Sequence, residues 1–161
     1  QELMLGTNGV NNGKIDPPLK LKPETVSKHT SSFTVNQDIS VLTINPHMHM
    51  LGKSFLAYAI KPNGDTIRLI RIPRWDFRWQ YFYTFPKMIK IPKGSTIIAE
   101  GIYDNTSQNP NNPFDPPQLV AERFDYEGSS MRATDEMFQF IITYTPYESG
   151  DENLKLAQKE E

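Results

Sequence analysis

Ser54-Phe55-Leu56-Ala57-Tyr58-Ala59-Ile60 and Thr66-Ile67-Arg68-Leu69-Ile70-Arg71-Ile72 are two runs rich in aliphatic, aromatic and β-branched residues. Between them stands Pro62-Asn63-Gly64-Asp65. Asn-Gly between two such runs is a strong hairpin signal, because both residues tolerate the left-handed backbone of a tight turn. Outward from this hairpin the same texture recurs. Residues 96–103 and 138–144 read as strands, 33–44 alternates over part of its length, and 88–91 is a short run closed by Pro92-Lys93-Gly94. Residues 75–85 are dense in aromatics, and Trp75, Phe77, Trp79, Tyr81 and Tyr83 fall at period two. That spacing predicts one packed or edge face of a strand, or, if exposed, a platform for a sugar or other substrate. Thirteen prolines and nine glycines interrupt the chain, and no long stretch before the tail keeps a helical period. Short strands between turns predict an all-β sandwich or barrel.

The flanks read differently. Residues 1–32 form a loop-rich lead-in, 104–117 an Asn/Pro loop, and 119–131 is ambiguous. One β-sandwich domain is expected over 1–147, followed by a charged tail, frayed or weakly helical, over 148–161. The total of 161 residues suits one domain. A net charge of −2 with scattered basic residues gives no footprint for nucleic acid. The longest apolar runs are too short to span a membrane. With no cysteine, disulfides, thiolate nucleophiles and Cys-bound metals are excluded. A chain opening on Gln1 is expected to be a processed or trimmed product.

Two of the three histidines sit in Pro46-His47-Met48-His49-Met50. On a strand, residues i and i+2 share a face roughly 7 Å apart, so two imidazoles lean toward one ion. Met48 and Met50 then point the other way and read as core. Alone, His-x-His also fits two surface histidines at a strand end. Here it closes an apolar strand, where solvated histidines are less expected. A third ligand has to come from elsewhere. Two imidazoles with a thioether form a borderline-soft set that suits copper, Cu(I) above all. Three protein ligands leave a position open, as a catalytic metal requires. His29, in a polar stretch, reads as exposed. Asp135 and Glu136 read as loop charges, one of which is placed to orient a ligand histidine.

Ordered along the chain, these segments resemble the copper type II, ascorbate-dependent monooxygenases. His47-Met48-His49-Met50-Leu51-Gly52 resembles the family's His-x-His-x-x-Gly segment. The 58–71 hairpin and the aromatic run ending Trp79-Gln80 follow in order. Tyr103-Asp104-Asn105-Thr106 resembles a Tyr-Asn-Thr stretch, and Thr134-Asp135-Glu136-Met137 a Glu-Met pair before the last strand.

The resemblance implies an antiparallel jelly-roll-like sandwich. It implies one copper ion per chain, held by His47, His49 and Met137, with dioxygen activated there and a C–H bond of a small-molecule substrate hydroxylated. Met131 is the rival thioether. It also implies ascorbate as electron donor and a periplasmic or extracellular, secreted setting. The family's second copper lies in another domain with an adjacent His-His pair. No such pair occurs here, so only the C-terminal, oxygen-activating half is represented, and this half alone is not expected to turn over efficiently. The partner implied is the missing N-terminal electron-transfer copper domain. The family's peptide-carboxylate contacts fall on Asn45, Gln139 and Ile141, which removes the expected arginine and tyrosine and argues against peptide amidation. The alternative is a non-catalytic copper- or carbohydrate-binding β-sandwich module.

Overall fold

The computed structural model describes residues 1–10, 14–122 and 132–156. Among these the strands are β1 (Glu2–Gly6), β2 (Lys20–Leu21), β3 (Thr25–Thr34), β4 (Ile39–Met48) and β5 (Gly52–Ile60). They continue with β6 (Thr66–Ile72), β7 (Tyr83–Ile91), β8 (Thr96–Asn105), β9 (Val120–Ala121) and β10 (Phe138–Pro146). Two antiparallel four-stranded sheets pack as a sandwich, in the orders β1-β10-β4-β7 and β3-β8-β5-β6. The short strands β2 and β9 form a separate pair. If the eight sheet strands are lettered B to I along the chain, the orders become B-I-D-G and C-H-E-F, the jelly-roll connectivity.

Alternation drives the sandwich. Along β8 every second residue is buried, from Ile97 through Ala99 and Gly101 to Tyr103. Phe55, Ala57 and Ala59 do the same on β5. These rows meet Ile44 and Met48 of β4 and Phe138, Phe140 and Ile142 of β10. Phe55 lies 5.7 Å, centroid to centroid, from both Phe138 and Phe140, so one aromatic knot ties the sheets together. Burying each such ring stabilises the fold by roughly 2–3 kcal/mol. Gly101 makes room for the knot: a Cβ there would stand 3.0 Å from Phe138 and 3.1 Å from the Met48 sulfur. The hairpin is as expected, with Ile60 opposite Thr66, Gly64 at φ 89° and Lys61 N–H donating to the Asp65 carbonyl at 2.8 Å.

Several segments differ from the sequence reading. The loop-rich lead-in contributes β1 and β3, one to each sheet. The run 33–44 is two strands, because the chain crosses between sheets over 35–38. Val35 anchors the crossing by exchanging backbone bonds with Gly94 and Ser95. The aromatic run is not a strand before Tyr83. Asp76 instead accepts the Arg78 N–H and binds its guanidinium, which folds the chain into a turn. In the tail a short 3-10 turn, Asp151–Asn153, leads to Lys155, which bridges to Lys87, while Leu156 N–H donates to the Pro86 carbonyl.

Candidate metal centre

β4 is an interior strand between β10 and β7, so its C-terminal end is held from both sides. Its register with β10 pairs Ile141 with Asn45, Gln139 with His47, and Phe138 with Met48. Phe138 and Met48 point into the core. By the two-residue pleat, Asn45, His47, Gln139 and Ile141 share the opposite face. One step further along each chain brings His49 and Met137, whose parity puts them on that face too.

The two histidine rings stand 5.1 Å apart and nearly perpendicular, at 88°. His49 is buried. Its Nδ1 lies 2.8 Å from the Asp135 carbonyl, which only accepts, so Nδ1 carries the proton and the neutral ring's lone pair sits on Nε2. Burial holds its pKa below the ordinary value, while the carbonyls of Asp135 and Arg132 pull the other way. His47 is pushed down to about 4, first by burial and then by its neighbour His49. Gln80 approaches the His47 ring and opposes that shift. It makes no well-formed bond there: Gln80 Oε1 is buried without a partner among the described residues, and Nε2 donates to the Phe77 carbonyl. Both imidazoles are therefore neutral near pH 7, the state in which each offers a lone pair to a metal.

Glu136 fixes the backbone of the motif. Its Oε2 accepts the His49 N–H at 3.0 Å and its Oε1 the Leu51 N–H at 2.7 Å. Burial raises its carboxyl to about 8, against three backbone N–H groups that favour the charged form. The ring of His49 is oriented by the Asp135 carbonyl and its main chain by the Glu136 carboxyl. The sequence reading had placed one carboxylate in the orienting role.

Met137 is 6% exposed and stands outside the contiguous apolar core. Its carbonyl accepts a 2.6 Å bond from the Tyr103 hydroxyl, which reaches across from the other sheet and is fully buried. Phe138 N–H donates to Thr7 Oγ1, and Thr7 N–H to the Phe138 carbonyl, so the segment is held on two sides. Met131 lies outside the described residues. His29 is buried rather than exposed. Its Nδ1 donates to the Pro17 carbonyl, Ser27 Oγ lies at Nε2, and its ring meets Tyr103 edge-on at 5.6 Å. Met50 is not core either; it sits in the turn after the histidines and lines a cavity.

Among the described residues, no three His, Cys, Asp or Glu side chains gather as a metal site. An ion at His47 and His49 would therefore draw on a thioether or an outside ligand. Two neutral imidazoles with one tautomer fixed by a carbonyl fit copper in its borderline-soft range, and Met137 stands at the same end of the ladder. Tyr103, Gln80 and Phe77 carry the resemblance or the aromatic stripe in the sequence, but their place beside the histidines, with the Phe77 ring edge-on to His49 at 5.6 Å, is marked only by nearness in space.

The fold is an all-β jelly-roll sandwich with a paired, neutral His-x-His at the end of an interior strand. The profile of the copper type II ascorbate-dependent monooxygenase C-terminal domain matches residues 3–112, and the chain belongs to that family. The match takes in His47 and His49 and stops short of Met137. No curated protein matches the chain.

Proposed function

We propose that this domain is the oxygen-activating copper half of a monooxygenase that hydroxylates a C–H bond, with His47, His49 and Met137 as the ligands. The observation that carries the reading is the contact of two neutral imidazoles 5.1 Å apart. Copper bound there would supply one-electron chemistry toward dioxygen. The chain's own residues do the positioning. The Asp135 carbonyl presents His49 Nε2, Glu136 fastens the turn after it, and Tyr103 holds the Met137 main chain. Burial keeps protons off both rings. Electrons would come from ascorbate through an N-terminal copper domain, which this family's C-terminal position makes the natural partner. The absence of a His-His pair from the sequence agrees with that division of labour.

Titration of the metal-free chain with Cu(I) and Cu(II) tests the ligand set. One tightly bound ion per chain is expected, lost in His47→Ala and in His49→Ala. Binding that survives both substitutions, or no tight binding at all, ends the proposal. Adding ascorbate to the loaded chain in air probes catalysis: oxygen uptake that rises with a candidate substrate supports the enzyme over a binding module.

A further inference from the structure

β6 is an outer strand of the sheet that does not carry the histidines. Its inner edge pairs with β5, and its outer edge has no backbone partner among the described residues. The sheet's other outer strand, β3, is met by the lead-in, where Asp16 and Thr30 exchange two backbone bonds. An unpartnered edge presents a row of N–H and C=O groups to a further strand. A bulge sets the charges along this one. Leu56 stands opposite Arg71 and Ala57 opposite Ile70, but Tyr58 stands opposite Arg68, so Leu69 is the extra residue. Without the bulge, two arginines three positions apart would point to opposite faces. With it they share the face of Leu56 and Tyr58, which is the outer face because Ala57 and Ala59 are core. Both arginines are exposed, and neither has an ion pair among the described residues. The outward carboxylates of the sheet are engaged elsewhere. Glu100 holds Lys28 at 2.8 Å and the Tyr58 hydroxyl at 3.0 Å, and Asp104 holds Lys53 at 2.8 Å. Arg68 and Arg71 also line a groove of about 600 Å³ whose apolar walls include Leu56, Leu69 and Ile70.

We propose that β6 is a docking edge for an extended acidic segment of a partner protein, which adds to the sheet as a fifth strand, sets carboxylates at alternate positions on Arg68 and Arg71, and lays an apolar side chain in the groove. The positions facing the two arginines on β5 are two residues apart, roughly 7 Å, and an extended segment repeats its side chains on one face at that same spacing. Arginine takes a carboxylate through two parallel bonds, so each contact is directional as well as charged. A second copy of this chain is a poor occupant, because it would gather four guanidiniums along one edge. Two free cations on a chain of net charge −2 are too few to hold a phosphate backbone or an anionic bilayer. The proposal does not depend on the copper reading, because the histidine face belongs to the other sheet.

The test uses the full chain and a fluorescein-labelled peptide, Thr-Val-Glu-Val-Glu-Val-Thr, read by anisotropy. Saturable one-to-one binding is expected, weakened at least about tenfold when both glutamates are replaced by glutamine. Arg68→Ala and Arg71→Ala should each weaken it by about three- to tenfold. The chain carrying both Arg68→Glu and Arg71→Glu should prefer the lysine peptide, Thr-Val-Lys-Val-Lys-Val-Thr. Both positions are exposed, and a urea midpoint matching the parent's checks that each variant is folded. Peptides N-methylated on one alternate set of amides or on the other separate strand addition from charge alone: one set should abolish binding and the other should leave it. No saturable binding of the glutamate peptide, equal affinity for the glutamine peptide, indifference to which set is methylated, or binding unchanged in the double variant would overturn the proposal. Co-sedimentation with phosphatidylglycerol vesicles that the double variant loses, in a chain that ignores the peptide, would assign the arginines to a lipid surface instead.

Discussion

Tyr103→Phe removes one atom and with it the bond from the phenol to the Met137 carbonyl. That bond is 2.6 Å long, fully buried, and joins the two sheets at the point where the chain enters β10. Phenylalanine keeps the ring, its edge contact with His29 at 5.6 Å and its contact with Phe138 at 6.4 Å, so no cavity opens. What remains is a buried carbonyl without this donor, which costs about 1–3 kcal/mol. With a urea dependence of about 2 kcal/mol per molar, the midpoint of the metal-free chain should fall by roughly 0.5–1.5 M. The copper readout separates positioning from bulk stability. A thioether matters more to Cu(I) than to Cu(II), so a loosened Met137 should weaken Cu(I) and leave Cu(II), held by the histidines, nearly unchanged. Met137→Leu sets the ceiling for that loss. A Tyr103→Phe chain that unfolds at the parent's urea concentration and keeps the parent's Cu(I) affinity would refute the reasoning. If Met137→Leu also leaves Cu(I) untouched, the thioether assignment fails instead.

Three further outcomes follow from the same geometry. Glu136→Ala strips the acceptor from two buried N–H groups and should lower the urea midpoint more than Tyr103→Phe does, by roughly 3 kcal/mol or more in unfolding free energy. Gly101→Ala forces a methyl to 3.0 Å from Phe138 and 3.1 Å from Met48, and thermal unfolding should show a loss of about 1–3 kcal/mol. His29 is held neutral below its ordinary pKa of 6.5, chiefly by burial. The unfolded chain thus binds the proton more readily, so stability is full above that value and is lost as pH falls toward the depressed one. Between about pH 7.5 and 5.5 the urea midpoint of the parent should lose more, or gain less, than that of His29→Gln, because the Glu136 carboxyl, raised to about 8, acts in the opposite sense in both chains.

The hairpin, β8 and β10 were legible because alternation and turn chemistry agree there. The His-x-His pair was legible because two residues on one strand share a face whatever the fold. The aromatic run shows where such reasoning stops. Its period of two is real, but Asp76 bends the chain by capping Arg78. The rings then part: Trp75 into the core, Phe77 onto His49, Trp79 to solvent. The stretch 33–44 misled for the opposite reason. Asn36-Gln37-Asp38 carries neither Gly nor Pro, so nothing local announces that the chain changes sheets, and the crossing is fixed by Gly94 and Ser95 far along the sequence. His29 looked solvated among polar neighbours, yet one of them, Ser27, and the carbonyl of the more distant Pro17 are the partners that allow its burial.

The tail has a consequence for the chain's behaviour in company. β7 is the outer strand of its sheet, and an outer strand with open backbone groups is a template for a second molecule. Here Pro86 withholds one donor from that strand, and Lys155 and Leu156 lie against it. The 3-10 turn that delivers them is tied down through Asp151, which accepts bonds from Ser40 and Glu148. Residues 151–156 thus act as a guard strand. Cutting the chain after Gly150 would leave the histidine sheet folded but sticky along one border, a liability to weigh before trimming the protein for crystallisation or for fusion to a partner domain.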